Sequence, residues 1–218
     1  MDPIICTVDV VLLTLQDDAL KVALLKRERE PYQGVAALPG GYIHVESDAD
    51  THDAAMRMLR DKAGIVPPYL EQLASFSGPA RDPRGWSISI AYYALVPSAL
   101  ISQQHVLLAD VDSTLQLPFD HKSILDAAVQ RLRSKSQYSS LPCYLAGETF
   151  TLPQLQKVYE VLMGEPLNKV SFRRKMDEMD MLEAIEGKMM ASGAHRPAQV
   201  YRLKAAYRKR LQLLERGL

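Results

Sequence analysis

Hydrophobic and polar positions alternate through the first part of the chain in a way that predicts β-strands. Residues 7–15 alternate and are rich in β-branched side chains, and residues 20–25 repeat this pattern after the polar sequence Gln16-Asp17-Asp18. A period of two indicates a strand with one buried face, so these segments predict a hairpin. The same character returns in residues 36–39, 69–77 and 87–96.

In the last of these strands the apolar face is expected to hold Ile88, Ile90 and Tyr92. Two helices are predicted among the strands. Asp50 or Thr51 can cap the first, which Gly64 ends. The second opens at Leu117-Pro118-Phe119-Asp120-His121 and runs to about Arg133. Histidine is a side chain that can titrate near neutral pH, but we expect His121 to cap or pack.

Helical spacing replaces the strand pattern after residue 150. A helix is predicted there, with Thr151 as its cap, from a stripe formed by Leu152, Leu155, Val158, Tyr159 and Leu162. A turn at residues 163–167 leads to a second helix at residues 168–176, and residues 181–185 and 199–203 then predict two strands. Helix, turn, basic helix and two strands are typical of a winged helix-turn-helix domain.

Composition bounds the class of protein. With 218 residues, 47% of them hydrophobic and 24% charged, the chain is long enough for one large or two small cores. No apolar run reaches the length of a membrane span, and the N-terminus lacks the basic residues of a signal peptide, so a cytoplasmic protein without a membrane partner is expected. Cys6 and Cys143 form no CxxC pair and predict small buried hydrophobic residues.

Charge is distributed unevenly although its sum is zero. Residues 1–149 carry 13 Lys and Arg against 18 Asp and Glu, a net of −5, and residues 150–218 carry 13 against 8, a net of +5. The asymmetry predicts a second domain that faces a polyanion, although basic C-terminal helices also serve solubility. We predict an effector domain at residues 1–140, a linker with Pro142 and Gly147 at 141–149, and a DNA-binding domain at 150–218.

Two segments of the first domain carry candidate chemistry. Gly40 and Gly41 precede the first helix and supply either positive φ or a close backbone approach. The sequence Arg81-Asp82-Pro83-Arg84-Gly85-Trp86 sets two guanidiniums on a stiffened turn, where they can grip a pyrophosphate while the indole meets a base or the core. Alternatively, Arg81 and Asp82 only close a surface turn. Tyr32 is either a plain surface aromatic or a ring stacked on a base.

The glycine turn and helix resemble the Nudix box, the loop and helix with which Nudix hydrolases hold divalent metal ions. The likeness covers Gly40, Gly41, Arg57, Leu59, Gly64 and Ile65. In an active box, glutamates occupy the helix face that here reads Met58, Asp61 and Lys62. Mg²⁺ requires hard oxygen ligands, so we expect no catalytic residue and no metal ligand, unless Glu46, Asp48 and Asp50 of the preceding loop compensate.

Two further resemblances point to a narrower family. The segment from Arg81 to Trp86 resembles the ADP-ribose branch of Nudix proteins, and together with the C-terminal pattern the chain resembles the NrtR-type, Nudix-related regulators of bacterial NAD metabolism. That resemblance implies an α/β Nudix fold, with a mixed sheet between helices, followed by a small α+β winged helix. It also implies a homodimeric repressor of NAD biosynthesis or salvage genes, released from double-stranded operator DNA by ADP-ribose, with no required cofactor.

The resemblance and the local chemistry together nominate two sets of residues. For the effector these are Arg27, Tyr32, Gly40, Gly41, Arg57, Arg81, Arg84 and Trp86, and for DNA they are Asn168, Lys169, Ser171, Arg173, Arg174 and Arg196. Two other functions remain open. One is an active ADP-ribose pyrophosphatase with an accessory C-terminal domain, and the other is a protein-interaction scaffold, since winged helices also bind proteins.

Overall fold

The computed structural model describes residues 3–102, 106–191 and 197–209. The chain forms two compact units, Met1–Arg131 and Leu132–Leu218. In the part of the chain that the structure describes, every helix is too short or too polar to traverse a lipid bilayer.

The first unit is built on a mixed seven-stranded sheet, as the sequence predicted. Its strands are β1 Ile5–Gln16, β2 Ala19–Lys26, β3 Ala36–Ala37, β4 Gly40–Tyr42, β5 Tyr69–Gly78, β6 Ser87–Leu95 and β7 Leu107–Asp110. The order is β3-β2-β1-β6-β5, while β4 pairs with β1 and β7 with β2. The β1–β6 pair is parallel, and the β1–β2 pair is the predicted hairpin. Its turn residues Asp17 and Asp18 have φ of 53° and 58°, as two-residue hairpins require.

Two helices complete this unit. Helix α1, Thr51–Met58, starts at the predicted cap, where the Asp50 side chain accepts from the backbone N–H of Asp53. It continues into a π-helical turn, Leu59–Ala63, which Gly64 ends at a φ of 68°. Ala55 and Leu59 are fully buried and belong to the same hydrophobic cluster as Val10, Leu12 and Tyr92 of the sheet. Helix α2 spans His121–Ser136.

Strand β6 is buried on both faces, which differs from the one-sided pattern that the sequence predicted. Ser87 and Ser89 are fully buried, whereas Ile88 and Ile90 are only partly buried. The strand lies between β1 and β5, and the Ser89 hydroxyl donates to a carboxylate oxygen of Asp9 at 2.6 Å. Ser87 and Ser89 therefore face buried polar groups and do not mark a solvent-exposed face of the strand.

The second unit is a winged helix. Its elements are α3 Cys143–Ala146, β8 Phe150–Thr151, α4 Leu152–Met163, α5 Lys169–Met179, β9 Leu182–Met190, β10 Ala198–Leu203 and α6 Ala205–Lys209. The sheet order is β8-β10-β9. Thr151 and Gln154 form a capping box at the start of α4, and Gly164 ends that helix at a φ of 74°. Phe172 of α5 packs edge-on against Tyr159 of α4, with ring centroids 5.4 Å apart.

The predicted linker at residues 141–149 is folded and includes α3. Leu141, Cys143 and Leu145 are buried, because apolar side chains in this segment outweigh its Pro and Gly signals. Burial raises the pKa of the Cys143 thiol to about 12, so that thiol is inert, whereas Cys6 is only partly buried. The boundary between the compact units follows Arg131, inside α2, instead of residue 140.

Candidate functional site

The Gly40–Gly41 turn needs glycine because other groups approach it closely. A Cβ atom at Gly40 would collide with Oδ1 of Asp9 and lie 2.8 Å from the carbonyl oxygen of Val8. At Gly41 it would lie 2.9 Å from the sulfur of Met58. Of the two explanations that the sequence left open, close approach is the one that applies, since β4 pairs directly with β1.

The face of the first helix that meets this turn carries a thioether and an amine. Lys62 donates from Nζ to the carbonyl oxygen of Gly40 at 2.6 Å, and burial lowers the pKa of its ammonium group. Met58 contacts Gly41. Asp61 is exposed and pairs with Arg60 at 3.0 Å. These groups do not fit a divalent cation, which needs converging oxygen ligands.

The acidic loop before the helix is largely committed to other contacts. Arg57 donates to both carboxylate oxygens of Asp48, at 2.6 and 2.7 Å, and to the carbonyl oxygen of Tyr42 at 3.0 Å. The hydrogen bond from Arg57 holds the pKa of Asp48 far below its usual range. Asp50 caps the helix. Arg57, nominated for the effector, thus fastens this loop to β4.

Arg81 lies in the interior, at the centre of a buried charged cluster. Its guanidinium donates to both oxygens of Asp120, at 2.9 and 2.8 Å, and lies 3.5 Å from Asp9. It also donates to the hydroxyl of Ser87 at 3.2 Å. The side chain is 7% exposed. The sequence left open whether Arg81 grips a pyrophosphate or closes a surface turn, whereas in the structure its side chain is buried and donates to carboxylates.

Burial alone lowers the pKa of Arg81, but the hydrogen bond to Asp120 and the charges of Asp120 and Asp9 more than offset it, and the pKa is raised. His121 belongs to the same cluster. Its Nδ1 accepts from the backbone N–H of Leu38 at 3.1 Å, and Nε2 lies 3.5 Å from Asp9. Burial lowers its pKa, which favours neutral imidazole. Asp9 was not among the predicted site residues, although one acid inside an apolar strand is a usable signal.

We call five residues of the first unit the aromatic–arginine surface: Arg27, which is half-buried, and Tyr32, Tyr42, Arg84 and Trp86, which are exposed. Arg84 donates to Asp82 at 2.6 and 3.0 Å and to the Tyr42 hydroxyl at 2.7 Å. Its guanidinium carbon lies 5.6 Å from the centroid of the Tyr42 ring. Trp86 is 45% exposed, so its indole is not a core residue. Tyr42 was not nominated, although it follows the two glycines directly.

Arg27 and Tyr32 meet on the ring of Phe119. The Arg27 guanidinium carbon lies 4.7 Å from the Phe119 centroid, and the Tyr32 ring meets that ring edge-on at 4.9 Å. Arg27 donates to the carbonyl oxygens of Pro31 and Arg29. Burial lowers the pKa of Arg27, and the positive charge of Arg84 lowers it further. Two guanidiniums that repel each other beside exposed rings suit a ligand with phosphates and a base.

In the second unit, α5 presents a polar outer face. Lys169, Ser171, Arg173 and Arg174 are all exposed. Asn168, also nominated for DNA, accepts from the backbone N–H groups of Val170 and Ser171 through its side-chain oxygen and caps the helix. Arg196 lies outside the described residues. The second half of the helix is acidic, with Asp177 and Glu178 exposed.

Arg174 pairs with Glu178 at 3.6 Å across one turn of α5, with both side chains mostly exposed. An exposed pair of this kind contributes little to stability, so the guanidinium stays available to another anion. The first half of α5, with its basic side chains and the positive end of the helix dipole, is therefore the part of the helix that suits a polyanion.

Comparison with known proteins identifies the family. The model of the NrtR DNA-binding winged helix domain matches residues 142–203. The ADPR-responsive transcriptional repressor NtrR of Acinetobacter baylyi is 38% identical over 203 residues, which cover 90% of this chain and 80% of that protein. The crystal structure of Shewanella oneidensis NrtR complexed with a 27mer DNA is 36% identical with a TM-score of 0.90, covering 98% and 99% of the two chains.

A further crystal structure, of the Nudix domain of Shewanella oneidensis NrtR complexed with ADP-ribose, is 35% identical. It covers 61% of this chain and 90% of that domain, with a TM-score of 0.55. The chain therefore belongs to the NrtR family of Nudix-related transcriptional regulators, with an N-terminal Nudix domain and a C-terminal winged helix domain.

Proposed function

We propose that this protein is an ADP-ribose-responsive transcriptional repressor of genes for NAD biosynthesis or salvage. It binds double-stranded operator DNA as a homodimer through its winged helix, and ADP-ribose bound to the Nudix domain releases it. The observation that carries this proposal is the combination in one chain of the exposed basic half of α5 with the aromatic–arginine surface of the first unit.

Two features of the second unit and one related crystal structure support DNA as its partner. Lys169, Arg173 and Arg174 are exposed on the first half of α5, where a winged helix contacts base edges and phosphates. The acidic residues stand on the second half, away from the end that enters the groove. A relative 36% identical over nearly the whole chain crystallised with DNA. A two-fold dimer would present two such helices to the half-sites of an operator.

On the first unit, the effector site is assigned to the aromatic–arginine surface. Arg27 and Arg84 supply positive charge for the pyrophosphate, and Tyr32, Tyr42 and Trp86 offer exposed rings for adenine. Arg81 has a supporting role here, because it holds Asp120 and Asp9 beneath the surface. ADP-ribose is the ligand in the crystal structure of a related Nudix domain that is 35% identical to this one.

The chemistry of the helix face supports binding without cleavage. Lys62 and Met58 stand against the Gly40–Gly41 turn, and an ammonium group repels the cations that Nudix hydrolysis requires. Signalling needs no cleavage, since a bound ligand shifts the population between two states by its differential affinity for them. The alternative of an ADP-ribose pyrophosphatase predicts Mg²⁺-dependent release of AMP.

A titration of the purified full chain against promoter fragments of NAD-salvage genes tests the proposal. Fluorescence anisotropy should show binding that weakens with salt, as phosphate contacts require, and addition of ADP-ribose should release the DNA while AMP does not. Analysis of the same mixture for AMP should find no turnover. If the protein does not bind DNA, or if ADP-ribose does not change its DNA binding, it is not an ADP-ribose-responsive repressor. Robust Mg²⁺-dependent release of AMP would favour the ADP-ribose pyrophosphatase.

A further inference from the structure

The exposed face of α5 carries one apolar side chain that the fold does not use. Val170 is 76% exposed, whereas the apolar residues Phe172 and Met176 of the same helix are buried. A β-branched residue is a poorer helix former than alanine, and an exposed valine contributes no burial to the folded protein. Its side chain is therefore available to a partner outside the free subunit.

The position of Val170 is rigid and is surrounded by positive charge. Its backbone N–H donates to the capping oxygen of Asn168 at 3.0 Å, which holds it in the first turn of the helix. Arg173 and Arg174 follow three and four residues later and are exposed on the same side of the helix. A partner for Val170 must therefore combine a small apolar group with negative charge on either side of it.

We propose that Val170 contacts the C5-methyl group of a thymine in the major groove and is a specificity-determining residue for DNA. This inference rests on the proposed function of the winged helix. Thymine is the base whose major-groove edge carries a methyl group, and that methyl is recognised by apolar side chains. The neighbouring arginines meet phosphates or guanine. An apolar protein groove would lack the anionic surroundings that these arginines require.

The geometry of α5 also constrains the site. Four residues advance a helix by about 6 Å along its axis, which is close to two base-pair steps of about 3.4 Å. The thymine that Val170 contacts should therefore lie within about three base pairs of a guanine that Arg173 or Arg174 contacts.

The test removes one methyl group from the DNA. The purified full chain first selects its binding site from a random duplex library, and each thymine of that site is then replaced by deoxyuridine, one at a time. Affinities are measured by fluorescence anisotropy for the wild-type protein, Val170→Ala and the control Val66→Ala. Val66 is also an exposed valine, at 64%, but lies in the first unit. Alanine is a better helix former than valine, so Val170→Ala keeps α5 folded.

For the wild type and Val66→Ala, deoxyuridine at one thymine of a half-site should weaken binding about fourfold, the value of one buried methyl group. Val170→Ala should bind the thymine duplex about fourfold more weakly and be indifferent to that replacement. The role proposed for Val170 would be overturned, with the proposed function left standing, by either of two results. In the first, deoxyuridine weakens binding equally for Val170→Ala and the wild type at every thymine. In the second, it weakens binding for neither protein. A wild type that selects no sequence would overturn that role together with the proposed function.

Discussion

The ammonium nitrogen of Lys62 lies 2.6 Å from the carbonyl oxygen of Gly40. This hydrogen bond sets a positive charge against the turn whose counterpart in Nudix hydrolases lies beside the metal ions. The Met58 sulfur approaches the next glycine from the same helix, and Asp61 lies outside, paired with Arg60. The helix of the Nudix box is therefore present, but its face beside the turn carries a positive charge where Nudix hydrolases carry carboxylates.

Restoring carboxylates to that face should create cation binding. In the double variant Met58→Glu/Lys62→Glu, two carboxylates replace the thioether and the ammonium at the turn, and Mn²⁺ binding should tighten by about a hundredfold or more. Electron paramagnetic resonance of free Mn²⁺ measures it. Arg60→Glu changes the charge on the exposed side of the same helix and should bind no better than wild type. Tight Mn²⁺ binding by the wild type would contradict this account.

Removing the guanidinium of Arg81 should destabilise the first unit. Arg81→Ala removes the guanidinium from the buried Asp9 and the partly buried Asp120, and breaking a buried ion pair from one side costs about 3–5 kcal/mol. Urea unfolding of the full chain measures the loss. Arg60→Ala, at an exposed arginine that pairs with its neighbour Asp61, should change the free energy of unfolding by less than about 0.5 kcal/mol. A similar small effect for Arg81→Ala would contradict the buried cluster.

Arg84→Ala should lower the affinity for ADP-ribose while operator binding in the absence of ADP-ribose is kept. Arg84 is partly exposed and belongs to the aromatic–arginine surface, and losing a charge-assisted hydrogen bond to a phosphate should weaken binding about tenfold to a hundredfold. Isothermal titration calorimetry measures the affinity, with Arg60→Ala as the matched control. Unchanged affinity in Arg84→Ala would remove this residue from the effector site.

Arg173→Ala should weaken operator binding and leave the effector site intact. Loss of a major-groove or phosphate contact is expected to cost about 1–3 kcal/mol in DNA binding, whereas ADP-ribose binding by the other unit should be unchanged. Anisotropy and calorimetry on the same preparation measure the two affinities. An equal loss of both would contradict the division of labour between the units.

Stability of the first unit should fall as the pH decreases below neutrality. Burial lowers the pKa of His121 in the folded state, so below about pH 6.5, its value in an unfolded chain, the unfolded state binds the extra proton. Stability is then lost as the pH falls, by at most about 1.4 kcal/mol per pH unit for this one proton, until the folded-state pKa is reached.

His121→Gln should flatten this dependence, because glutamine keeps an acceptor for the Leu38 N–H but takes up no proton. Urea unfolding at about pH 7.5 and about pH 5.5 compares the variants across the histidine range. His44→Gln, at an exposed histidine, is the control and should behave as wild type does. A pH dependence that survives His121→Gln unchanged would assign the effect to other groups.

The sequence alone determined most of the secondary structure and the family. Hairpin, capped helices and winged helix follow from local signals, because alternation, caps and glycine C-caps act over a few neighbouring residues. The absence of glutamates at Met58 and Lys62 was equally visible, since the spacing of a helix face is a local property.

Only the tertiary structure decided what these residues contact. Arg81 and Arg84 stand three residues apart on one turn, yet the first is buried with Asp9 and Asp120 and the second is partly exposed beside Tyr42. Asp9 and Asp120 are 111 residues apart in the chain, and both pair with Arg81 in the folded unit. Burial and ion pairing depend on such distant partners, so local sequence patterns cannot distinguish the buried arginine from the exposed one.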